Sequence, residues 1–370
     1  MYNTNYFLMT PGPTMVQDNV LQARTQYMGN PDIDSNFFKF YEDTCNKLAT
    51  ILNSKNSSNI IMCGEAMLGL ESACSSLTEI GDNVLVIENG VFGKGFSDLV
   101  TLYGGNVTLY SSDWKKPINS AELDLFLSKS DLSFKYATFV HCDTPSGILN
   151  DVKEITKILK KYNILSVVDS VAAMGGVSLD IDNWEVDICL GGTQKAFSAP
   201  TGLSIITVSQ KAWSTIQNRK KPIIGFYTNL SLWKNCVKEK LFPYSLPSQD
   251  ILGLSVALDN ILEIGLDNIF TKHNNAQTYT LEYLKKIGLK LYLEEGFSPT
   301  VTAFFTPKEC TSIEIIEHLK TKYGVLIASS YGPLKDIVLR IGHMGENIQK
   351  ENLLYTLESL KNTLIDLKKD

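Results

Sequence analysis

The sequence contains no apolar run of the roughly 18 residues that a membrane-spanning helix needs. Its first residues, MYNTNYFLMTPGPT, also lack the basic start and long apolar stretch of a secretion signal. These absences predict a protein that works in the cytoplasm and has no membrane partner.

Paired cysteines and an excess of basic residues are missing as well. The seven cysteines are odd in number, widely spaced and free of any CxxC pair, and the four histidines show no metal-ligand spacing. We therefore expect neither a disulfide framework nor a metal site. A net charge of −6 gives no positive field for a phosphate backbone, so we expect no nucleic-acid partner.

The sequence does contain enough apolar residues for a large interior. Hydrophobic residues make up 44% of the 370 residues and charged residues 20%, as in globular proteins. A chain of this length predicts two domains, or one large domain with an appendage. We place an N-terminal segment at 1–20, a large domain at 21–255 and a smaller C-terminal α+β domain at 256–370.

Short β-type segments alternate with helical ones between about residues 59 and 210. The alternation predicts an α/β fold with a mostly parallel sheet of seven strands covered by helices. Residues 213–248 are predicted to be irregular, 249–288 to form a long helical region, and the last hundred residues to hold a small α+β unit. The predicted strands are 59–62, 83–87, 106–110, 136–141, 165–170, 187–191 and 203–208, followed by 300–306, 325–330 and 337–342.

One acidic and one basic residue follow neighbouring predicted strands. Asp169 lies at the end of segment 165–170, and Lys195 comes just after segment 187–191. In open α/β sheets, ligands bind at the carboxyl ends of the strands. From these two residues alone, a structural ion pair and a functional site are equally good interpretations.

Other strand ends add groups at the same predicted edge. The turn after the first strand leads into a helix whose first amides, those of Glu65, Ala66 and Met67, would point at an anion such as a phosphate. Phe92 offers a flat ring after the second strand, and Thr144 offers a hydroxyl after the fourth.

An aldehyde cofactor with a phosphate and a pyridine nitrogen would use all of these groups. The lysine would form a Schiff base with the aldehyde, and the carboxylate would keep the pyridine nitrogen protonated. The aromatic ring would cover the cofactor and the helix amides would hold its phosphate. Pyridoxal phosphate matches this description.

Six segments carry a family resemblance: TPGPT (10–14), ENGVFG (88–93), HCDTPSGILN (141–150), VDSVAAMGG (168–176), GGTQKAFSAPTG (191–202) and VLRIGHMGE (338–346). In these segments the sequence resembles the class V aminotransferases of pyridoxal-phosphate fold type I. The similarity is greatest to the alanine/serine–glyoxylate and the 2-aminoethylphosphonate–pyruvate aminotransferases. The resemblance implies a pyridoxal phosphate cofactor and a transaminase activity.

The resemblance also implies roles for the matching residues. Lys195 would hold the cofactor, Asp169 would pair with the pyridinium, and Thr144 would bond the ring hydroxyl. Gln194 and Val171 would help to hold the cofactor.

Substrate and subunit contacts are implied in the same way. Arg340 would bind the substrate's α-carboxylate through its planar fork, with Gly12 as a second substrate contact. In this family the sites lie between subunits, and Ser245 is the candidate for the hydroxyl that a partner directs at the phosphate. The resemblance therefore implies a homodimer with shared active sites.

The sequence departs from the family pattern where the phosphate would bind. Glu65 and Ala66 stand where many relatives have serine and glycine, and a carboxylate beside a phosphate is repulsive unless it points away. Phe242 replaces a tyrosine that some relatives direct at the phosphate. Residues 30–38 differ from the histidine–arginine version common among glyoxylate enzymes, which leaves the substrate open.

The expected activity is a ping-pong transfer of an amino group from an alanine- or serine-type amino acid to glyoxylate or pyruvate. The first alternative is a 2-aminoethylphosphonate–pyruvate aminotransferase. A lyase of the cysteine-desulfurase type is the next, with Cys310 as its thiol, although Gln194 stands where such lyases usually have a histidine. A non-catalytic binding module would not need Lys195, Asp169 and Arg340 together.

Overall fold

The computed structural model describes residues 6–368. The strands are β1 (Phe7–Leu8), β2 (Ser58–Cys63), β3 (Asn83–Glu88), β4 (Asn106–Ser111), β5 (Tyr136–Val140), β6 (Cys142–Asp143), β7 (Ile148–Leu149), β8 (Leu165–Asp169), β9 (Ile188–Gly192), β10 (Leu203–Val208), β11 (Val301–Phe305), β12 (Val325–Leu326), β13 (Ala328–Ser329) and β14 (Val338–Gly342). The helices are α1 (Asp18–Ala23), α2 (Ser35–Ile51), α3 (Ala66–Leu77), α4 (Val91–Leu102), α5 (Ser120–Ser128), α6 (Val152–Lys161), α7 (Gln210–Gln217), α8 (Cys236–Glu239), α9 (Ser248–Ile264), α10 (Leu266–Lys286), α11 (Ser312–Tyr323) and α12 (Lys350–Asp366).

Seven strands form one sheet in the order β2–β10–β9–β8–β5–β3–β4, and all seven were predicted. Neighbouring strands are parallel except at β10, which is antiparallel to β2 and to β9. Every residue of β5, β8, β9 and β10 is buried. Helices on both faces explain this burial and the continuous apolar runs in the sequence. The predicted fold class is confirmed.

Helix α6 illustrates how the sequence covers this sheet. The Asp151 carboxylate accepts the Glu154 N–H at 3.1 Å and so caps the helix start. Ile155 and Leu159 are fully buried on one stripe, and Ile158 packs partly buried beside them. The predicted apolar stripe therefore forms the contact with the sheet.

The C-terminal sheet has the antiparallel order β11–β14–β13. The predicted strand 325–330 is in fact divided, because β12 pairs in parallel with the N-terminal β1 while β13 pairs with β14. The Gly342 N–H also donates to the Met9 carbonyl at 2.8 Å. These bonds bring the N-terminal segment beside the C-terminal sheet.

The helical region predicted at 249–288 is two helices, α9 and α10. They separate at Gly265, whose φ of 85° is easy only for glycine and interrupts the helix. The boundary predicted after residue 255 falls inside α9, whose Leu258 and Ile261 pack in the core of the large sheet. We propose that the smaller domain begins with α10. Among residues 6–368, no helix is long and apolar enough to cross a membrane.

Candidate active site

A cavity of about 490 Å³ opens at the edge where β2, β3, β5, β8 and β9 end. The fold brings strand ends, the N-terminal segment and the C-terminal sheet together around it. All but one of the residues predicted for the site line this cavity: Gly12, Glu65, Ala66, Met67, Phe92, Thr144, Asp169, Val171, Gln194, Lys195 and Arg340.

Ser245 is the exception. Its hydroxyl donates to the Asp32 carboxylate at 2.5 Å, and it does not line the cavity of its own chain. The role predicted for Ser245 lies in a second subunit, so it stays a prediction.

Lys195 lies against the N-terminal segment. Its Nζ donates to the Pro11 carbonyl at 2.6 Å. Gly12 has a φ of 93°, and a Cβ at this position would lie only 2.6 Å from the lysine Nζ. Glycine is therefore needed at this position, both for the backbone conformation and for the close approach of the lysine.

Burial controls the charges of the predicted lysine and aspartate. Burial, together with the nearby Arg340 guanidinium, lowers the pKa of Lys195 to about 8. It raises the pKa of Asp169 to about 6, a rise limited by the Val171 N–H, which donates to Asp169 Oδ1 at 2.9 Å, and by Lys195. At pH 7 about a tenth of the lysine is therefore neutral, and most of the aspartate is ionised.

Arg340 is held in place by backbone carbonyls. Its Nε and Nη2 donate to the Ser329 carbonyl at 3.1 and 2.6 Å, and its Nη1 donates to the Thr144 carbonyl at 3.3 Å. Its guanidinium carbon lies 5.1 Å from the centre of the Tyr331 ring. Backbone carbonyls use three of the five N–H groups of this arginine, and the other two are left for Tyr331 and for a carboxylate in the cavity.

The start of α3 is already capped by a carboxylate. Glu65 Oε2 accepts the Met67 N–H at 2.9 Å, and Glu65 Oε1 accepts Gln194 Nε2 at 2.5 Å. The predicted anion site at this helix start thus holds an anion supplied by the chain itself.

The structure adds groups that the sequence did not single out. Pro11 and Tyr331 line the cavity and contact Lys195 and Arg340. Asp143 is fully buried behind the cavity wall, and burial raises its pKa to about 8. TPGPT and HCDTPSGILN already pointed to the stretches that hold Pro11 and Asp143, whereas nothing in the sequence pointed to Tyr331.

Four charged residues line the cavity: Glu65, Asp169, Lys195 and Arg340. Within the described part of the chain, no group of three or more histidines, cysteines, aspartates or glutamates is arranged to hold a metal ion.

The family model described as aminotransferase class V matches residues 6–333. The chain belongs to the class V aminotransferases. An uncharacterized aminotransferase of Methanocaldococcus jannaschii is 34% identical to it over 97% of this chain and 93% of the relative. The predicted family and transaminase class are confirmed.

Two solved structures of aminotransferases superpose closely on this one. The ureidoglycine–glyoxylate aminotransferase of Bacillus subtilis has a TM-score of 0.95 and 28% identity, covering 100% of this chain and 95% of that one. The pyridoxamine–pyruvate aminotransferase of Mesorhizobium loti has a TM-score of 0.93 and 26% identity, covering 98% and 93%. The predicted fold type of this aminotransferase is confirmed.

Proposed function

We propose that this class V aminotransferase moves an amino group to a small 2-oxo acid, glyoxylate or pyruvate, through a pyridoxal ring held at Lys195. One observation carries the proposal: Lys195, Asp169 and Arg340 line a single cavity at the carboxyl edge of the sheet. The two solved relatives are named for glyoxylate and pyruvate, which supports these acceptors.

The ring-binding half of the cavity fits the pyridoxal group that class V aminotransferases generally need. Asp169 would be a buried acceptor for a pyridine N–H, and Phe92 and Val171 would supply apolar surface against the ring. Thr144 supplies a hydroxyl beside them. The end of the cavity expected to hold the phosphate fits less well, because Glu65 occupies it.

The chemistry divides between the ring and the chain. A bound pyridoxal ring supplies an aldehyde and an electron-withdrawing ring. The neutral Lys195 amine serves as nucleophile and then carries a proton between carbon atoms, since burial makes its neutral form accessible near neutral pH. Asp169 keeps the ring nitrogen protonated, and Arg340 orients the substrate through its α-carboxylate.

The cavity also bears on the two enzyme alternatives. A 2-aminoethylphosphonate donor has no carboxylate and reacts in its own half-reaction, so Arg340 is available to its phosphonate, and the half-reaction with this donor tests the alternative. The lyase needs a reactive thiol, but Cys310 does not line the cavity. Cys142 does line it, yet burial raises the pKa of its thiol to about 11. An aminotransferase acting on amino and oxo acids remains the best match.

We further propose a cytoplasmic homodimer in which two chains complete each site. Exposed apolar side chains occur near the cavity mouth and on the segment that carries Ser245: Met67, Ile224, Phe226, Tyr227 and Leu241. The Ser245–Asp32 hydrogen bond ties this segment to the loop before α2. Sedimentation equilibrium tests the dimer, and a purely monomeric protein at assay concentration would contradict it.

The function is tested by half-reactions of purified protein supplied with pyridoxal phosphate or with pyridoxal. Alanine, serine, aspartate and 2-aminoethylphosphonate are added separately, and conversion of the visible absorption of the lysine-bound form is followed. We expect conversion by alanine or serine, and none with the Lys195→Ala variant. A lysine-bound form that no donor converts would contradict the proposal, and sulfide released from cysteine would favour the lyase.

A further inference from the structure

The Glu65 side chain takes the place that a cofactor phosphate would need. Glu65 is the N-cap of α3, and its carboxylate accepts the Met67 N–H at 2.9 Å and the Gln194 amide at 2.5 Å. The Met67 N–H is one of the donors predicted for the phosphate, and Gln194 is a residue predicted to help hold the cofactor. Because both are already bonded to a carboxylate, this end of the cavity favours a group that donates a hydrogen bond.

The side-chain oxygen of Gln194 also lacks a hydrogen-bond donor. Gln194 Oε1 is buried and has no hydrogen-bond partner among residues 6–368. A phosphate dianion would bring further acceptors and a second negative charge beside Glu65, while a hydroxyl would bring a donor.

The charge of the cavity also opposes a phosphate. The lining contains two cationic side chains, Lys195 and Arg340, and two anionic ones, Glu65 and Asp169. Lys195 loses its charge when it reacts as an amine, and Arg340 is needed for the substrate carboxylate. No cation of the lining is then left to neutralise a phosphate.

Phe242, which the family resemblance matches to a phosphate-directed tyrosine of some relatives, lies in the core. Its ring is buried and stacked on Phe38 with centroids 4.7 Å apart, and it does not line the cavity. It also lies edge-on to Tyr41 at 4.9 Å. Phe242 therefore supplies no hydrogen bond at this end of the cavity.

We infer that this aminotransferase takes unphosphorylated pyridoxamine and pyridoxal as exchangeable substrates, with Glu65 accepting the hydroxymethyl O–H. The inference rests on the proposed function. The amine nitrogen of pyridoxamine forms a C=N bond with the 2-oxo acid and releases one water. A proton then moves from the ring-bound carbon to Cα, and one water cleaves the rearranged C=N bond. The products are pyridoxal and an amino acid, so no oxidant or reductant is needed.

Binding measurements test the inference independently of turnover. Wild-type protein is titrated with pyridoxal and with pyridoxal 5′-phosphate, following thermal unfolding and the visible absorption of the lysine-bound form. We expect pyridoxal to bind at least about tenfold more tightly than the phosphate ester. Glu65→Ser, which keeps a capping side chain, should reverse the order.

Two variants make the test specific. Glu65→Gln removes the charge with little change of shape and should reduce the preference for pyridoxal over pyridoxal 5′-phosphate. If Glu65→Ser does not fold, Glu65→Gln alone tests the inference. Glu71→Gln makes the same change six residues further along, within α3 and outside the cavity lining, and should behave as wild type.

The outcomes separate this inference from the proposed function. Equal or tighter wild-type binding of pyridoxal 5′-phosphate, with donors still converting it, would overturn the inference and leave the aminotransferase proposal intact. Unchanged preference in the Glu65 variants would also overturn it. If neither compound reacts with Lys195, both the inference and the proposed function fail.

Discussion

Replacing Asp169 with asparagine should stabilise the ligand-free protein while it abolishes function. Burial raises the pKa of this carboxyl from its ordinary 3.8 to about 6, and this difference corresponds to a cost of about 3 kcal/mol for holding it ionised at neutral pH. Asparagine retains an oxygen to accept the Val171 N–H and carries no charge. We therefore expect Asp169→Asn to raise the free energy of unfolding by up to about 3 kcal/mol near pH 7.

The gain should depend on pH in a defined direction. Because the folded-state pKa is raised, the wild-type penalty develops as pH rises from about 4 to about 6 and is then constant. Near pH 5 the gain should fall to about half its value at neutral pH. Urea unfolding of the wild-type and Asp169→Asn proteins, near pH 5 and near pH 7, measures this gain in the free energy of unfolding.

Asp187→Asn is the matched control. Asp187 is also buried, but both of its oxygens accept hydrogen bonds at 3.0 Å, from the Ser166 N–H and the Ser209 hydroxyl. An amide can replace only one acceptor, so this variant should lose about 1–3 kcal/mol. A destabilised Asp169→Asn protein, or a gain that does not shrink toward pH 5, would refute the reasoning.

Other variants test the remaining parts of the cavity. Arg340→Lys should raise KM for the 2-oxo acid by about tenfold or more, because one ammonium cannot replace a bidentate fork, and steady-state kinetics would show it. Gly12→Ala should destabilise the protein by about 1–2 kcal/mol and slow adduct formation at Lys195. The control Gly69→Ala should fold normally, since its methyl would lie 3.6 Å from its nearest neighbours. The rate at which Lys195 reacts with pyridoxal should rise with pH through a midpoint near 8, and a midpoint near 10 would contradict the burial of its amine.

Pattern-based prediction worked well for the large sheet and less well where pairing is long-range. The strands of the large sheet are continuous apolar runs because both faces are covered, so composition alone marks them. Segment 325–330 also reads as one strand, but its first half pairs with the distant β1, which no local pattern shows. Segment 249–288 predicts one helical region across Gly265, because a single glycine is tolerated in a helical pattern.

The site was predictable where residues follow strands and less so where separate segments meet. Lys195 and Asp169 could be found because the ends of parallel strands share one edge. The contact of Tyr331 with Arg340 arises only when a loop of the C-terminal sheet reaches the cavity. The sequence shows that Glu65 conflicts electrostatically with a phosphate, but only the fold shows that its carboxylate caps its own helix.

Isotope tracing most directly tests amino-group transfer at Lys195. The protein is incubated with ¹⁵N-alanine, unlabelled glyoxylate and either pyridoxal or pyridoxal 5′-phosphate, and glycine is analysed by mass spectrometry. We predict ¹⁵N-glycine, matched by an equal amount of pyruvate, with wild-type protein and none with Lys195→Ala. If no ¹⁵N-glycine forms with either pyridoxal or pyridoxal 5′-phosphate, under conditions where Lys195 binds both, the assignment of this cavity as a transaminase site is contradicted.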